Sequence, residues 1–488
     1  MKRFLLALAA SALTLSAAAQ TSLQQAVASM SSKPALKGVV IGISVKDADG
    51  RELASLNPRT RLAPASNLKL VTTGAALHAF GPDYHFKTAL AYSGEVKEGT
   101  LEGDLYIIGG GDPTLAAKDT NALNANALFW KWKGLLKSAG IQRINGRIIG
   151  DGSAFEGHLE HASWNYDDVG TYYGAGTNAL SFYENAIDYK VSASAEGKTV
   201  NLTQAYPDTP WLHFQNYGVT GPAGTGNSLY MYTTDLAPYA ELRGSFATDR
   251  RPKTEHFANK YGDLTCAYYF WRNLKETGWE VTGGYARINR SGLIEGADFV
   301  PSQKSATERT GIGFTESPTL RQMAARTNFD SNNFYAEAFF RAMGESASGN
   351  ACYDSCLVAI NEVLSDLNLP ADGILQADGS GLSRKNVLSA DWMTSYLTAM
   401  LKSPAFPAFL ASLPAPGQGT LSVLKIEGGE RLRIKSGSME GVLCYSGYVL
   451  DENGRPVRSF SILTNSLSSS SAQARSAVAT LLTQLLNM

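Results

Sequence analysis

Apolar and polar positions alternate over residues 38–45, turn-forming residues follow at 47–50, and the alternation resumes over 52–56, a pattern that predicts a β-hairpin. Directly after it, Pro64-Ala65-Ser66 leads into apolar positions at Leu68, Leu70, Val71, Ala75, Ala76, Leu77 and Phe80 that close on Gly81-Pro82. Proline before this spacing and glycine after it predict a helix opening near Ser66 and ending at Gly81. The other end of the chain mirrors this arrangement. Strand patterns occupy 431–435, 441–450 and 457–464, with Asn453-Gly454 as a turn and an amphipathic helix over 470–486. The two ends are expected to build one antiparallel sheet with a helix on it, and helical patterns at 319–323, 331–343 and 353–367 to complete that domain.

Between these two parts lies a stretch too long for a single helical subdomain, which predicts an insertion over 85–305. It reads as short strands with two helices, at 122–138 and 263–276. The glycine run 109–111 lacks a G-K-[ST] ending and dinucleotide spacing, so a strand ending in a glycine turn is expected there, not a phosphate loop. The fold class expected is α+β: an antiparallel sheet flanked by helices, carrying a large inserted α/β to mostly-β region of one or two domains. The sheet domain is expected from 20–84 and 306–488, and the insertion as 85–182 with 252–305 nested around 183–251.

Charge narrows the function classes. The 488 residues hold 43 Lys plus Arg against 44 Asp plus Glu, a balance that offers nothing to nucleic acid. Lys2-Arg3, an apolar run over 4–15 and Ala17-Ala18-Ala19 read as a secretory leader cut near Ala19. That run is short for a membrane span, and no later segment reads as transmembrane. Export to a bacterial periplasm is expected. Cys352 and Cys356 are candidates for a disulfide there, although a spacing of four on a helix suits disulfide geometry poorly. The six histidines form no metal-ligand spacing, and no cofactor is expected.

Three short strings carry the chemistry. Ser66-Asn67-Leu68-Lys69, Ser331-Asn332-Asn333 and Lys435-Ser436-Gly437 read as S-x-x-K, S-x-N and K-[ST]-G, the elements of serine acyl-transfer enzymes that β-lactams inhibit. Residues three apart on a helix share a face, so Lys69 is expected to reach the Ser66 hydroxyl. Burial and a second cation, Lys435, would let Lys69 act as a neutral base. The glycine in the third string lets a ligand backbone lie against a strand edge.

With these strings in order, and with Gly109-Gly110-Gly111-Asp112-Pro113-Thr114-Leu115, Gly150-Asp151-Gly152-Ser153-Ala154-Phe155, Asn178-Ala179-Leu180-Ser181-Phe182 and Asp378-Gly379-Ser380-Gly381-Leu382-Ser383-Arg384, the chain resembles the D-alanyl-D-alanine carboxypeptidase/endopeptidases of the penicillin-binding protein 4 type. The resemblance implies a β-lactamase/transpeptidase-like catalytic domain and periplasmic cleavage of peptidoglycan stem peptides, with β-lactams as covalent inhibitors. It implies that Ser66 attacks the carbonyl between two D-alanines, Lys69 is the base, Ser331 relays a proton and Asn333 holds the donor peptide's amide. Lys435, Ser436 and Ser438 would bind the terminal carboxylate beside Gly437, and the Ser66 and Ser438 N–H groups would form the oxyanion hole. Trp164, Asp167 and Tyr172 resemble the family's side-chain-reading wall. Arg384 and Met439 match the positions that complete its pocket, a set suited to a zwitterionic diaminopimelate end. Asn332 departs from the commoner aspartate, and Ser436 from the commoner threonine. A β-lactamase shares the triplet, but lacks this insertion. A catalytically silent peptidoglycan-binding protein has no reason to fill every polar catalytic position.

Overall fold

The computed structural model describes residues 20–468 and 471–487; the leader expected at 1–19 lies outside the described residues. The chain divides into two compact units. One comprises the residues through Pro82, Arg321–Ala336 and those from Ile360 on; the other comprises Asp83–Leu320 and Glu337–Ala359.

The first unit is built on a five-stranded antiparallel sheet in the order Glu52–Leu56, Val40–Asp47, Pro456–Asn465, Val442–Leu450, Leu432–Met439. The chain ends meet where Val40 stands opposite Asn465 and Asp47 opposite Arg458. Side chains alternate across a strand, so Ile41, Ile43 and Val45 enter one core with Ile434, Phe460 and Ile462. The helix Ser471–Leu486 covers that core through Val478, Leu481, Leu482 and Leu485. On the opposite face, Ser44 Oγ and Thr394 Oγ1 share a hydrogen bond of 2.8 Å and Lys46 pairs with Asp391 at 2.7 Å, both partners lying on the helix Ala390–Met400. With helices on both faces, Val442–Leu450 is buried along its whole length, which is why its sequence runs apolar without a clean alternation.

The helix near Ser66 starts later than its pattern suggests. Ala65–Leu68 is a 3₁₀ turn, and the α-helix runs over Lys69–Phe80 before stopping at Gly81, whose φ of 83° suits glycine. Ala65 holds a left-handed φ of 47°, a conformation that costs a non-glycine residue about 1 kcal/mol and breaks helical continuity just before Ser66. The helix is buried from Lys69 through Leu77, and Tyr396 Oη donates to the Leu70 and Val71 carbonyls at 3.3 and 3.2 Å.

The second unit holds a seven-stranded mixed sheet in which Ile148–Asp151 lies parallel to both Leu105–Gly109 and Tyr285–Ile288. Helices Ala125–Ser138 and Gly262–Glu276 bring Phe129, Trp132 and Phe270 into one aromatic core with Phe182. The glycine run closes the strand Leu105–Gly109 and turns at Gly111, with φ of 90°. Strands between residues 186 and 258 form smaller sheets around their own core of Ile187, Tyr189, Met231, Leu242 and Phe246. The fold is thus α+β, with a helix-flanked antiparallel sheet and a mixed to mostly-β inserted region.

All four cysteines are free thiols, which corrects the disulfide considered for Cys352 and Cys356. Cys356 lies on the helix Tyr353–Asp366 and its Sγ donates back to the Cys352 carbonyl at 3.1 Å, while Cys352 Sγ bonds Ser355 Oγ at 3.1 Å. Among the described residues, no helix is long and apolar enough to cross a membrane.

Candidate active site

Seven of the predicted site residues meet inside the first unit. Lys69, first in its helix and fully buried, donates from Nζ to Ser66 Oγ at 3.0 Å, to Asn333 Oδ1 at 2.6 Å and to the Ser380 carbonyl at 2.7 Å. The second string sits between two helices, Leu320–Asp330 and Asn333–Ser348. Ser331 takes a left-handed φ of 57°, and Asn332 Oδ1 then accepts from Tyr335 N at 3.0 Å, capping the second helix. Asparagine and aspartate both cap well, so the departure at Asn332 is physically neutral. Asn333 is expected from resemblance to hold the substrate amide; here its amide oxygen accepts from Lys69.

Lys435 arrives from the edge strand Leu432–Met439, also fully buried, and donates to Ser331 Oγ at 2.9 Å and to the Ser436 carbonyl at 2.7 Å. Burial pushes its proton affinity well below that of an ordinary lysine, and repulsion from Lys69 adds to the effect. Repulsion between the two buried lysines disfavours charging both at once, and it is Lys435 whose charged form burial holds down. Ser436 Oγ pairs with Thr420 Oγ1 at 2.9 Å. Gly437 is where the strand crosses the nucleophile turn: a Cβ there would stand 2.6 Å from the Pro64 carbonyl oxygen, 2.7 Å from Asn67 N and 3.0 Å from Ser66 N. Ser438 follows, exposed, and half-buried Met439 ends the strand.

Three supports have roles that local sequence does not reveal. Asn67 Nδ2 donates to Ser446 Oγ at 2.9 Å, which donates to Ser461 Oγ at 2.9 Å, anchoring the turn to the central strands. Thr420 belongs to no string. The third support is the loop after Asp378, which appeared only as a matching string. The buried Asp378 carboxylate accepts from Gly381 N at 2.8 Å, Ser383 N at 2.6 Å and Asn386 Nδ2 at 2.9 Å, and this wrapping aims the Ser380 carbonyl at Lys69. Replacing Asp378 by alanine strands those donors. Expected results are a stability loss of about 3 kcal/mol in urea unfolding and a fall in kcat larger than any change in KM.

The residues expected to read the substrate side chain lie in both units. Trp164 is buried and Asp167 and Tyr172 are exposed in the second unit, where the Tyr172 ring meets Tyr173 edge-on at 5.4 Å. In the first, exposed Arg384 donates from Nη1 to the Glu440 carbonyl at 3.2 Å and from Nη2 to Glu440 Oε2 at 3.4 Å.

Against known proteins, residues 23–485 match the D-Ala-D-Ala carboxypeptidase 3 (S13) family. The chain is 29% identical to the D-alanyl-D-alanine carboxypeptidase of Actinomadura sp. (strain R39), over 92% of this chain and 82% of that protein. It is 24% identical to D-alanyl-D-alanine carboxypeptidase DacB of Haemophilus influenzae, over 86% of this chain and 84% of that one. Its fold is similar to the crystal structure of penicillin binding protein 4 (dacB) from Haemophilus influenzae, with a TM-score of 0.77 at 22% identity over 96% of this chain and 98% of that one.

Proposed function

The chain belongs to the D-Ala-D-Ala carboxypeptidase 3 (S13) family and is a serine-type D-Ala-D-Ala carboxypeptidase of the penicillin-binding protein type, and from that premise we propose that Ser66 is its nucleophile. One observation carries the proposal: Lys69 Nζ spans Ser66 Oγ and Asn333 Oδ1, while Lys435 Nζ holds Ser331 Oγ. Neutral Lys69 takes the Ser66 proton as Oγ attacks the carbonyl carbon between the two D-alanines. The N–H groups of Ser66 and Ser438 receive the oxyanion, the interaction worth most in such reactions. Ser331, bonded to Lys435, passes a proton to the departing D-alanine amine. Water then cleaves the acyl-enzyme and frees the shortened peptide. Lys435 with Ser436 and Ser438 binds the terminal carboxylate, and the nearby edge strand offers backbone groups to an extended peptide.

The same reading makes β-lactams covalent inhibitors acting on Ser66, in line with a crystal structure of the Haemophilus influenzae relative complexed with a β-lactam. Residues 1–19 act as a leader for export to the periplasm. The insertion folds as nested parts, with Trp164, Asp167 and Tyr172 from it and Arg384 and Met439 from the catalytic domain reading the stem-peptide side chain. Incubation with muropeptides of known cross-linking, followed by mass spectrometry, tests the function. Loss of a terminal D-alanine is the expected product; turnover of nitrocefin with no D-alanine released would point to a β-lactamase instead.

Two further results are expected. Arg384→Ala should lower kcat/KM for a diaminopimelyl-D-Ala-D-Ala peptide about tenfold more than for a peptide truncated at that side chain, and equal losses would reject a side-chain role. Because burial lowers the Lys435 proton affinity, kcat/KM should fall as pH rises through a midpoint below the ordinary lysine value of about 10.4. Lys435→Arg keeps its charge to higher pH, so the residual activity of that variant should lose this alkaline limb.

A further inference from the structure

The small sheet of the second unit presents one face to its core and the other to solvent. Its strands lie in the order His213–Asn216, Ala237–Arg243, Tyr230–Thr234. Met231, Ala240 and Leu242 point inward with Phe246. Alternation therefore sends Tyr239, Glu241 and Arg243 outward on the middle strand and Tyr230 and Tyr232 outward on its neighbour. The register places Tyr232 opposite Glu241, Tyr230 opposite Arg243 and Gln215 opposite Glu241. Tyr217, just past the first strand and 55% exposed, lies under the Arg243 guanidinium at 5.7 Å.

This aromatic surface continues beyond the sheet. Tyr166, 64% exposed, stacks on Tyr232 with ring centroids 4.8 Å apart and an interplanar angle of 24°, and Tyr230 meets Tyr232 edge-on at 5.1 Å. Tyr166 is the chain neighbour of Asp167, so the surface adjoins the loop proposed to read the stem peptide. Glu241 and Arg243 pair with each other, which leaves the face polar but close to neutral. A neutral face does not suit nucleic acid or an anionic membrane.

We propose that the tyrosine face formed by Tyr166, Tyr217, Tyr230, Tyr232 and Tyr239 binds the glycan strand that carries the stem peptides. A β-linked amino sugar presents C–H groups on its ring faces and hydroxyl and amide groups around its rim. The negative faces of aromatic rings attract those C–H groups, and tyrosine supplies this contact at little entropic cost. Gln215, Glu241 and Arg243 stand between the rings as partners for the rim. The glycan is covalently joined to the peptide on which the enzyme acts, so holding it raises the local concentration of stem peptides at the enzyme. The inference rests on peptidoglycan as substrate but not on the identity of the nucleophile.

The test uses the full-length protein and a hexamer of β-1,4-linked N-acetylglucosamine, which contains no D-alanine. Calorimetric titration should show saturable binding, weakened at least about tenfold by Tyr217→Ala with Tyr232→Ala, retained in Tyr232→Phe and unchanged by prior penicillin acylation. The double variant should release D-alanine from a short soluble peptide at the parent's rate, but from intact sacculi about tenfold more slowly. The proposal is overturned by absence of saturable binding, by equal binding in the double variant, by loss of binding on acylation, or by equal slowing on both substrates. If the Ser66 assignment alone were wrong, the hexamer titrations would be unaffected.

Discussion

Ser66→Ala is expected to abolish labelling by radioactive penicillin and to lower D-alanine release by at least about 10⁴-fold, while thermal unfolding stays close to that of the parent. Oγ is the atom that would form the ester and lies against Lys69 Nζ, whereas Ser331 Oγ is held by Lys435. The alanine removes one partner of Lys69 but leaves Asn333 Oδ1 and the Ser380 carbonyl, so the buried Nζ keeps two strong partners and the fold survives. Retained D-alanine release by pure Ser66→Ala protein would remove Ser66 from the mechanism. Loss of release with penicillin labelling intact would place acylation on a different residue.

Gly437→Ala should cost nearly as much by a different route. Its Cβ would enter a space already taken by the Pro64 carbonyl oxygen and by Asn67 N, at 2.6 and 2.7 Å, all of them backbone atoms with no side-chain freedom to yield. Relief requires the strand or the turn to move, and the turn carries Ser66. A displacement of this order at a reacting atom costs about 10²-fold in kcat or more, and the overpacking should lower stability by about 1–3 kcal/mol. Penicillin acylation should slow in parallel, since both reactions use the same attack geometry. Ser438→Ala, on the exposed next residue, keeps the backbone N–H and should cost no more than about tenfold. If Gly437→Ala acylates at the parent's rate, the close approach of strand and turn has no part in positioning the nucleophile.

These two residues differ in how far local sequence reveals them. Ser66 stands three positions before Lys69, and helical periodicity alone puts that pair within reach. The hairpin at the N-terminal end, the three C-terminal strands and the helix after them were legible for a similar reason: alternation and apolar spacing are local consequences of which face meets the core. Gly437 could be read as a residue lacking a side chain, but its neighbours could not, because Pro64 and Asn67 approach it only after the two chain ends have joined one sheet. The turn at Ala65 was missed because its left-handed φ is imposed from outside the segment, against the residue's own preference.

The supports of the site show the same division. Asp378 appeared in a conspicuous string, yet its work is to accept three donors and so aim one carbonyl, that of Ser380, which any residue at that position would possess. A backbone oxygen leaves no trace in composition or spacing. Ser446 and Thr420 are serine and threonine among many, and only packing selects them. The disulfide considered for Cys352 and Cys356 is a different case: an exported chain made the pair a candidate, the spacing of four on a helix spoke against it, and both thiols are free.

By itself, then, the sequence determined the chemical groups of the reaction, the order in which they occur and the local elements that carry them, since these follow from side-chain chemistry and periodicity over a few residues. Tertiary structure decided the rest: which backbone carbonyl faces Lys69, how closely the edge strand passes Ser66, and how strongly burial and a neighbouring charge hold down the proton affinity of Lys435. Lys69 and Asn333 meet across 264 positions of chain. Distances of 2.6 to 2.9 Å between groups so far apart are set by the packing of whole helices and sheets, and no local pattern contains them.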